Sequence, residues 1–333
     1  MQESAEFGDK VFERRRYEYE NALVQRVTTP LVHNIQLTTI CPMNCIMCPN
    51  PTLKRPKRHM PMETCKQVLQ QVDRKFTPHV YLHGFGESLT HPQLFDFIEK
   101  AHTKGILTGL SINPALLTRE NIARLLNSLL CLLHISLDGT NQEIYEYYRG
   151  GNANYEGAVR NIHELLAEKK ALGKRNPWIK IVMIDLPWNR PFQEEFRRIW
   201  SIDGVDEVEI KPLVCWDGSR EEIAKLREPA KSDGRRCAWP WYGVSILNTG
   251  EVVPCCYDAD GKYILGSLKT QTLEEAWNSK PAINLRLEHA IGRINNELCK
   301  YCRDQPPPIA FEGLYEYFMR LGRQTGLLPQ KIT

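Results

Sequence analysis

The stretch Thr39-Ile40-Cys41-Pro42-Met43-Asn44-Cys45-Ile46-Met47-Cys48-Pro49 decides how the rest of the chain is read. Its cysteines follow a C-x3-C-x2-C spacing, so one loop can offer three thiolates to the corners of a 4Fe–4S cube. The usual complement is four cysteines. A three-cysteine loop therefore leaves one iron open to a ligand from outside the protein. A zinc knuckle is the competing reading; zinc calls for a fourth donor close by, and His33 lies on the predicted strand before the loop.

Bulk composition narrows the setting. With 333 residues, 42% hydrophobic and 25% charged, the chain has the make-up of an ordinary soluble globular protein with one large core and a smaller appendage. A net charge of +3 gives no electrostatic case for nucleic acid or a membrane surface as partner. Two short basic runs stand out. Arg14-Arg15-Arg16 reads as a solvated face, whereas Lys54-Arg55-Pro56-Lys57-Arg58 follows the cysteine loop and is placed to steer an anionic substrate or a reductant. No stretch nears the roughly 20 apolar residues of a membrane span, and the N-terminus, MQESAEFGDKVFERRR, lacks the apolar core of a secretory signal. Eleven cysteines without such a signal point to a reducing, cytoplasmic setting and to metal sites rather than disulfides.

Residues 10–26 read as a polar, weakly amphipathic helix, within an N-terminal extension over 1–30. Six β-branched runs, at 32–40, 79–84, 107–113, 132–138, 179–185 and 207–213, then alternate with helical patterns at 62–75, 91–104, 118–128, 152–171 and 190–202. Such alternation implies a parallel sheet with right-handed crossovers. Six units fit a partial (β/α)6 TIM-like barrel over 31–213, with ligands gathered at the C-terminal strand ends. Cys41 falls at that end of the first strand. Beyond the barrel, 214–236 reads as a linker, 237–304 as a small cysteine-bearing domain with a hairpin across 243–257, and 305–333 as a tail with a helix at 311–322.

In this setting the cysteine loop resembles the signature of the radical S-adenosylmethionine (SAM) superfamily, and further motifs extend the resemblance over most of 31–213. In that family the SAM amine and carboxylate chelate the open iron. One electron then splits SAM to a 5′-deoxyadenosyl radical, which abstracts hydrogen from the substrate. His83-Gly84-Phe85-Gly86-Glu87-Ser88-Leu89 resembles the family's glycine-rich turn after the second strand, implying SAM contacts from Phe85, Gly86 and Glu87. Glycine there permits close backbone approach. Ser111-Ile112-Asn113 stands where the family often has Thr-Asn-Gly; Pro114 replaces the glycine, so only Asn113 carries over, as a ribose contact. Ser136-Leu137-Asp138-Gly139 is a common family sequence and implies Ser136 and Asp138 toward ribose or substrate, with a helix cap as the other reading of Asp138. Tyr145-x3-Arg149-Gly150 resembles a motif whose arginine approaches the SAM carboxylate, a match of planar partners, with a surface ion pair as the alternative. Met47 replaces the aromatic residue usual before the third cysteine, and a flexible thioether can fill the same space.

A second group, Cys237, Cys255, Cys299 and Cys302, is similar to the C-terminal SPASM/Twitch domains of the same superfamily. Four ligands match the shorter Twitch type, which implies a second 4Fe–4S cluster held wholly by protein; a zinc ribbon is the alternative. Cys215 and Cys256 remain as hydrogen-donor candidates, while Cys65 and Cys131 read as small core residues.

The eighteen-residue step from Cys237 to Cys255 resembles the class that includes 2-deoxy-scyllo-inosamine dehydrogenase. That resemblance implies a natural-product oxidoreductase acting on a small polar substrate (a sugar, aminocyclitol or nucleoside), with the second cluster accepting an electron. It also implies a reductant such as flavodoxin or ferredoxin. Redox-neutral decarboxylation, dehydration or epimerisation is one alternative. Another is a ribosomal-peptide maturase, for which about 30 residues before the first strand fall short of a leader-recognition domain. A non-catalytic iron–sulfur or zinc protein is the third, and the SAM motifs speak against it. His83 and Glu87 are candidate acid–base groups; Trp188, Trp216, Trp239, Trp241 and Tyr242 are pocket walls or core.

Overall fold

In the computed structural model, which describes residues 2–150, 153–216, 220–226, 236–300, 302 and 304–330, six strands follow in chain order. They are β1 Leu31–Ile35, β2 His79–Tyr81, β3 Leu107–Ile112, β4 Leu132–Ser136, β5 Trp178–Asp185 and β6 Glu207–Pro212. Helix α1, Gln2–Glu20, precedes them; α2 Met62–Gln71, α3 Leu94–Thr103, α4 Arg119–Asn127, α5 Gln142–Arg149, α6 Tyr155–Ala171 and α7 Gln193–Trp200 lie between them. Each strand pairs in parallel with the next, which makes the partial TIM-like barrel.

Three of the barrel helices begin where polar side chains satisfy their first amides. Thr118 accepts from Asn121 N–H at α4, Asn141 from Ile144 N–H at α5 and Asn154 from Gly157 N–H at α6. The apolar faces of the barrel helices (Val68 and Leu69, Phe97 and Ile98, Ile122 and Leu125, Ile162 and Leu165) bury against Leu110, Leu133, Ile135, Ile179 and Ile181 of the sheet. Each such side chain contributes roughly 1.5–3 kcal/mol through removal from water. The C-terminal helix, Pro308–Gln324, extends the predicted one and closes the barrel base, where Phe318 stacks on His79 at 4.4 Å and meets Tyr81 at 5.3 Å.

Three features depart from the sequence reading. First, five of the six strands stop short of their predicted ends, and β5 alone runs to Asp185 as expected. After Ile35 the chain leaves the ladder, and Thr38 keeps only an isolated bridge to His59 as the backbone bends into the cysteine loop. Second, the basic run on α1 is not a solvated face throughout. Arg15 is buried and donates to the carbonyls of Thr29 (2.9 Å) and Phe76 (3.1 Å), while Glu18 pairs with Arg26 out of solvent. Third, β7 Gly243–Ile246, β8 Glu251–Val253 and β9 Gly266–Ser267 continue the barrel sheet rather than forming one of their own, in the order β6-β5-β4-β3-β2-β1-β7-β8-β9. Strand β7 runs parallel to β1, from Leu31↔Gly243 to Ile35↔Ile246, and the predicted hairpin is the antiparallel β7–β8 pair. Within the predicted linker, Glu221–Ala224 forms a short helix, and residues 217–219 and 227–235 lie outside the described residues. Among the described residues no helix is long and apolar enough to cross a membrane.

Candidate functional site

The cysteine loop leaves the C-terminal end of β1 and is backed by the end of α5. Asn44 N–H donates to the Arg149 carbonyl (3.4 Å) and Ile46 N–H to that of Tyr148 (3.1 Å). Cys48 N–H closes a tight turn onto the Cys45 carbonyl at 3.1 Å. Two donors already point at sulfur: Arg149 Nη1 to Cys45 Sγ at 3.6 Å and Asn50 N–H to Cys48 Sγ at 3.4 Å. Burial, with the neighbouring thiols adding to it, pushes Cys41 up to about 11 and Cys48 up to about 12. Such thiols stay protonated until iron takes the proton's place, and the sulfur-directed donors are the kind of support that tunes a ligated thiolate. The loop thus presents its three thiols on one turn, with donors aimed at two of the sulfurs. His33 does not complete a zinc set; its ring packs on Trp239 at 5.0 Å and Tyr81 at 5.5 Å.

The glycine-rich turn after β2 lies against this loop. An added Cβ on Gly86 would stand 2.1 Å from the Thr38 carbonyl oxygen, so only glycine fits. Glu87 N–H donates to the Ile40 carbonyl (2.8 Å), and Asn50 Nδ2 donates to the carbonyls of Thr39 (2.9 Å) and Phe85. We expect Gly86→Ala to lower stability by about 1–3 kcal/mol or more through overpacking against backbone that cannot swing aside. Denaturant titration of the variant checks this; a loss below about 0.5 kcal/mol would mean that the turn has slack.

Glu87 is buried, with Oε2 accepting from Asn113 N–H (2.8 Å) and Oε1 from Leu89 N–H (3.1 Å). Burial nevertheless pushes its carboxyl up to about 7. Asn113 Oδ1 accepts from Ala115 N–H (2.8 Å), and its buried Nδ2 has no partner among the described residues, leaving a donor for a ribose hydroxyl. Ser136 Oγ lies 3.2 Å from Ser111 Oγ. Asp138, at φ +60°, does not cap the next helix, a role taken by Asn141. Its Oδ1 accepts from Ile184 N–H (2.7 Å) and its Oδ2 pairs with Arg149. Arg149 is thus no surface ion pair; it is buried between Asp138 and the Cys45 sulfur.

Cys237, Cys255, Cys299 and Cys302 converge on one cavity, which Trp216 and Tyr257 also line. Burial holds the Cys237 and Cys255 thiols well above the ordinary range and lifts Cys299 up to about 12. All four expected cysteines thus border the same cavity, and four is the usual number of thiolates for a cluster held wholly by protein. Cys256 is half-buried near Cys302 but does not line the cavity, and Cys215 is buried just after β6. Cys65 and Cys131 are buried, as predicted.

Trp216 connects the two places. Its Nε1 donates to the Met47 carbonyl (3.1 Å), and its ring meets Phe85 at 5.1 Å and Tyr257 at 5.6 Å. Sequence reasoning grouped it with four other large aromatics and passed over Asn50, whose place directly after Cys48-Pro49 was the available signal.

Two family models match, the radical SAM superfamily over residues 35–179 and a SPASM iron–sulfur cluster-binding domain over 237–303. The first implies SAM and a 4Fe–4S cluster, the second additional iron–sulfur ligation. A PqqA peptide cyclase of Bradyrhizobium diazoefficiens is 27% identical over 244 residues, 73% of this chain and 55% of the cyclase, so the matched chain spans about half of that relative. Among solved structures, Streptococcus suis SuiB bound to precursor peptide SuiA superposes with a TM-score of 0.64 at 11% identity, covering 90% of this chain and 76% of SuiB. BtrN in complex with AdoMet and 2-DOIA gives 0.57 at 16% identity, covering 84% of this chain and 94% of BtrN. Identities this low speak to the fold alone. Both models fall on the expected cysteine sets in the expected order, and the chain carries a radical SAM domain with a SPASM iron–sulfur domain following its barrel.

Proposed function

We propose that this enzyme modifies a peptide, with Cys41, Cys45 and Cys48 holding the SAM-binding cluster and Cys237, Cys255, Cys299 and Cys302 holding a second one. The observation that carries the peptide reading is the match to a peptide cyclase over 73% of the chain, in line with the fold shared with SuiB. The small polar substrate expected from the Cys237–Cys255 spacing has support from the likeness to BtrN, at 16% identity.

When bound, the cluster and SAM supply a carbon radical that takes hydrogen from a substrate carbon. The chain's own residues prepare the place. Arg149 steadies Cys45 and neutralises Asp138. Asn113 offers Nδ2 toward a ribose hydroxyl. Glu87 ties the turn after β2 to the end of β3 and would hold that turn in place for SAM. The electron donor is a low-potential carrier such as flavodoxin or ferredoxin.

The test incubates anaerobically reconstituted protein with SAM, a reductant and two panels, one of peptides and one of sugars, aminocyclitols and nucleosides. We expect 5′-deoxyadenosine to form in step with a mass change on a peptide. Turnover of a small polar compound with all peptides inert would return the enzyme to the dehydrogenase-like reading.

A further inference from the structure

We infer that the barrel lumen beneath the SAM-facing residues is a carboxylate-binding subsite built around Lys211 and His134. The inference rests on the peptide-modifying reading only for the identity of the molecule that carries the carboxylate.

Strand register puts Ser111, His134, Lys180 and Glu207 in one layer, with Ser136, Val182 and Glu209 in the next layer toward the strand ends and Lys211 one layer further, opposite Ile184. The charges in these layers are unevenly satisfied. Lys180 takes both carboxylates, Glu207 at 2.7 Å and Glu209 at 3.1 Å, and Tyr317 also donates to Glu207 at 2.7 Å. Lys211 is left with a 3.8 Å contact to the shared Glu209 and a 3.5 Å approach to His134 Nδ1. Its side chain keeps 35% of its surface accessible, although burial holds its pKa below the ordinary lysine value.

The imidazoles beside it are also unfinished. His134 is only 5% exposed, yet its Nε2 has no hydrogen-bond partner among the described residues; the same holds for His83 Nδ1 and His33 Nδ1. All three rings surround Tyr81, at 5.8, 4.8 and 5.5 Å. Burial depresses each of them, His33 to about 4 and His83 to about 3, with Lys211 adding to the effect on His83 and His134. The rings are therefore neutral; His134 meets the Lys211 ammonium through Nδ1, which puts its N–H on the unpartnered Nε2. An unpaired buried donor costs about 1–3 kcal/mol. Such a donor on His134, beside a cation whose nearest anion is the shared Glu209 at 3.8 Å, calls for a group that accepts. A carboxylate is acceptor-only, with about four lone-pair sites, and its charge answers Lys211.

Equilibrium dialysis of radiolabelled probes against the reconstituted full chain with SAM tests this. The peptide probes are N-acetylglutamic α-amide (side-chain carboxylate), N-acetylglutamine (terminal carboxylate) and N-acetylglutamine amide (neither); glucuronate and glucuronamide form a sugar pair. We expect one carboxylate probe to bind roughly tenfold or more tightly than its uncharged counterpart, the size of one charge-assisted hydrogen bond. Which probe discriminates identifies the carrier. Lys211→Met should erase the preference and Lys211→Arg should restore part of it, with thermal melting confirming that both are folded; if Lys211→Met does not fold, Lys211→Gln takes its place. Equal binding within both sets, no binding by any probe, or a preference that survives loss of Lys211 overturns the inference. Discrimination by glucuronate alone keeps the subsite and sinks the peptide reading.

Discussion

Replacing Cys41, Cys45 and Cys48 together by alanine is expected to lower the iron of the anaerobically reconstituted chain from about eight to about four per molecule. Formation of 5′-deoxyadenosine should fall to background in the same preparation. The expectation follows from the separateness of the two thiol sets. The first sits on a single loop braced by α5, and the second closes a cavity whose four sulfurs come from beyond β6. Removing one set leaves the other's donors untouched. Iron that does not respond to the triple change, or zinc in its place, would defeat the two-cluster assignment.

The second large effect is expected at Arg149. Its guanidinium is buried against Asp138 and Cys45, and Asp138 has no other cation paired with it among the described residues. Removing one partner of a buried pair leaves an uncompensated charge, at a cost of about 3–5 kcal/mol. Arg149→Met should therefore destabilise the apo protein by that amount, and Asp138→Asn added to it should recover a substantial part. A double-mutant cycle by denaturant unfolding measures the coupling. A loss below about 1 kcal/mol for Arg149→Met would mean that solvent reaches the pair.

Much of this site is written locally in the chain. Cysteine spacing, the glycine turn and the strand–helix rhythm are all short-range patterns, and each has a short-range physical cause. What escaped the reading is long-range. The Arg14–Arg16 run looks the same whether Arg15 faces water or, as here, reaches the carbonyls of Thr29 and Phe76. Asp138 read as a ligand, with a cap as the alternative, because its partner Arg149 comes to it only when α5 folds back. That helix was itself passed over; Gln142–Arg149 is short, and its buried Ile144, Tyr145 and Tyr148 are interleaved with charge. The polar lumen was unreadable for the same reason. His134, Lys180 and Lys211 sit on three different strands, and each in isolation resembles an ordinary polar residue in a strand.

The parallel pairing of β1 with β7 has a consequence for how the molecule can come apart. Strand β1 leads into the SAM-cluster loop and is flanked by β2 on one side and β7 on the other. Cutting the chain ahead of β7 would leave β1 as a raw edge with unpaired amides and carbonyls, the kind of surface that aggregates. The iron–sulfur segment would in turn lose the strand on which its hairpin is laid. The two halves therefore share one cooperative unit, and neither is a detachable module. Heat or denaturant is expected to unfold them together.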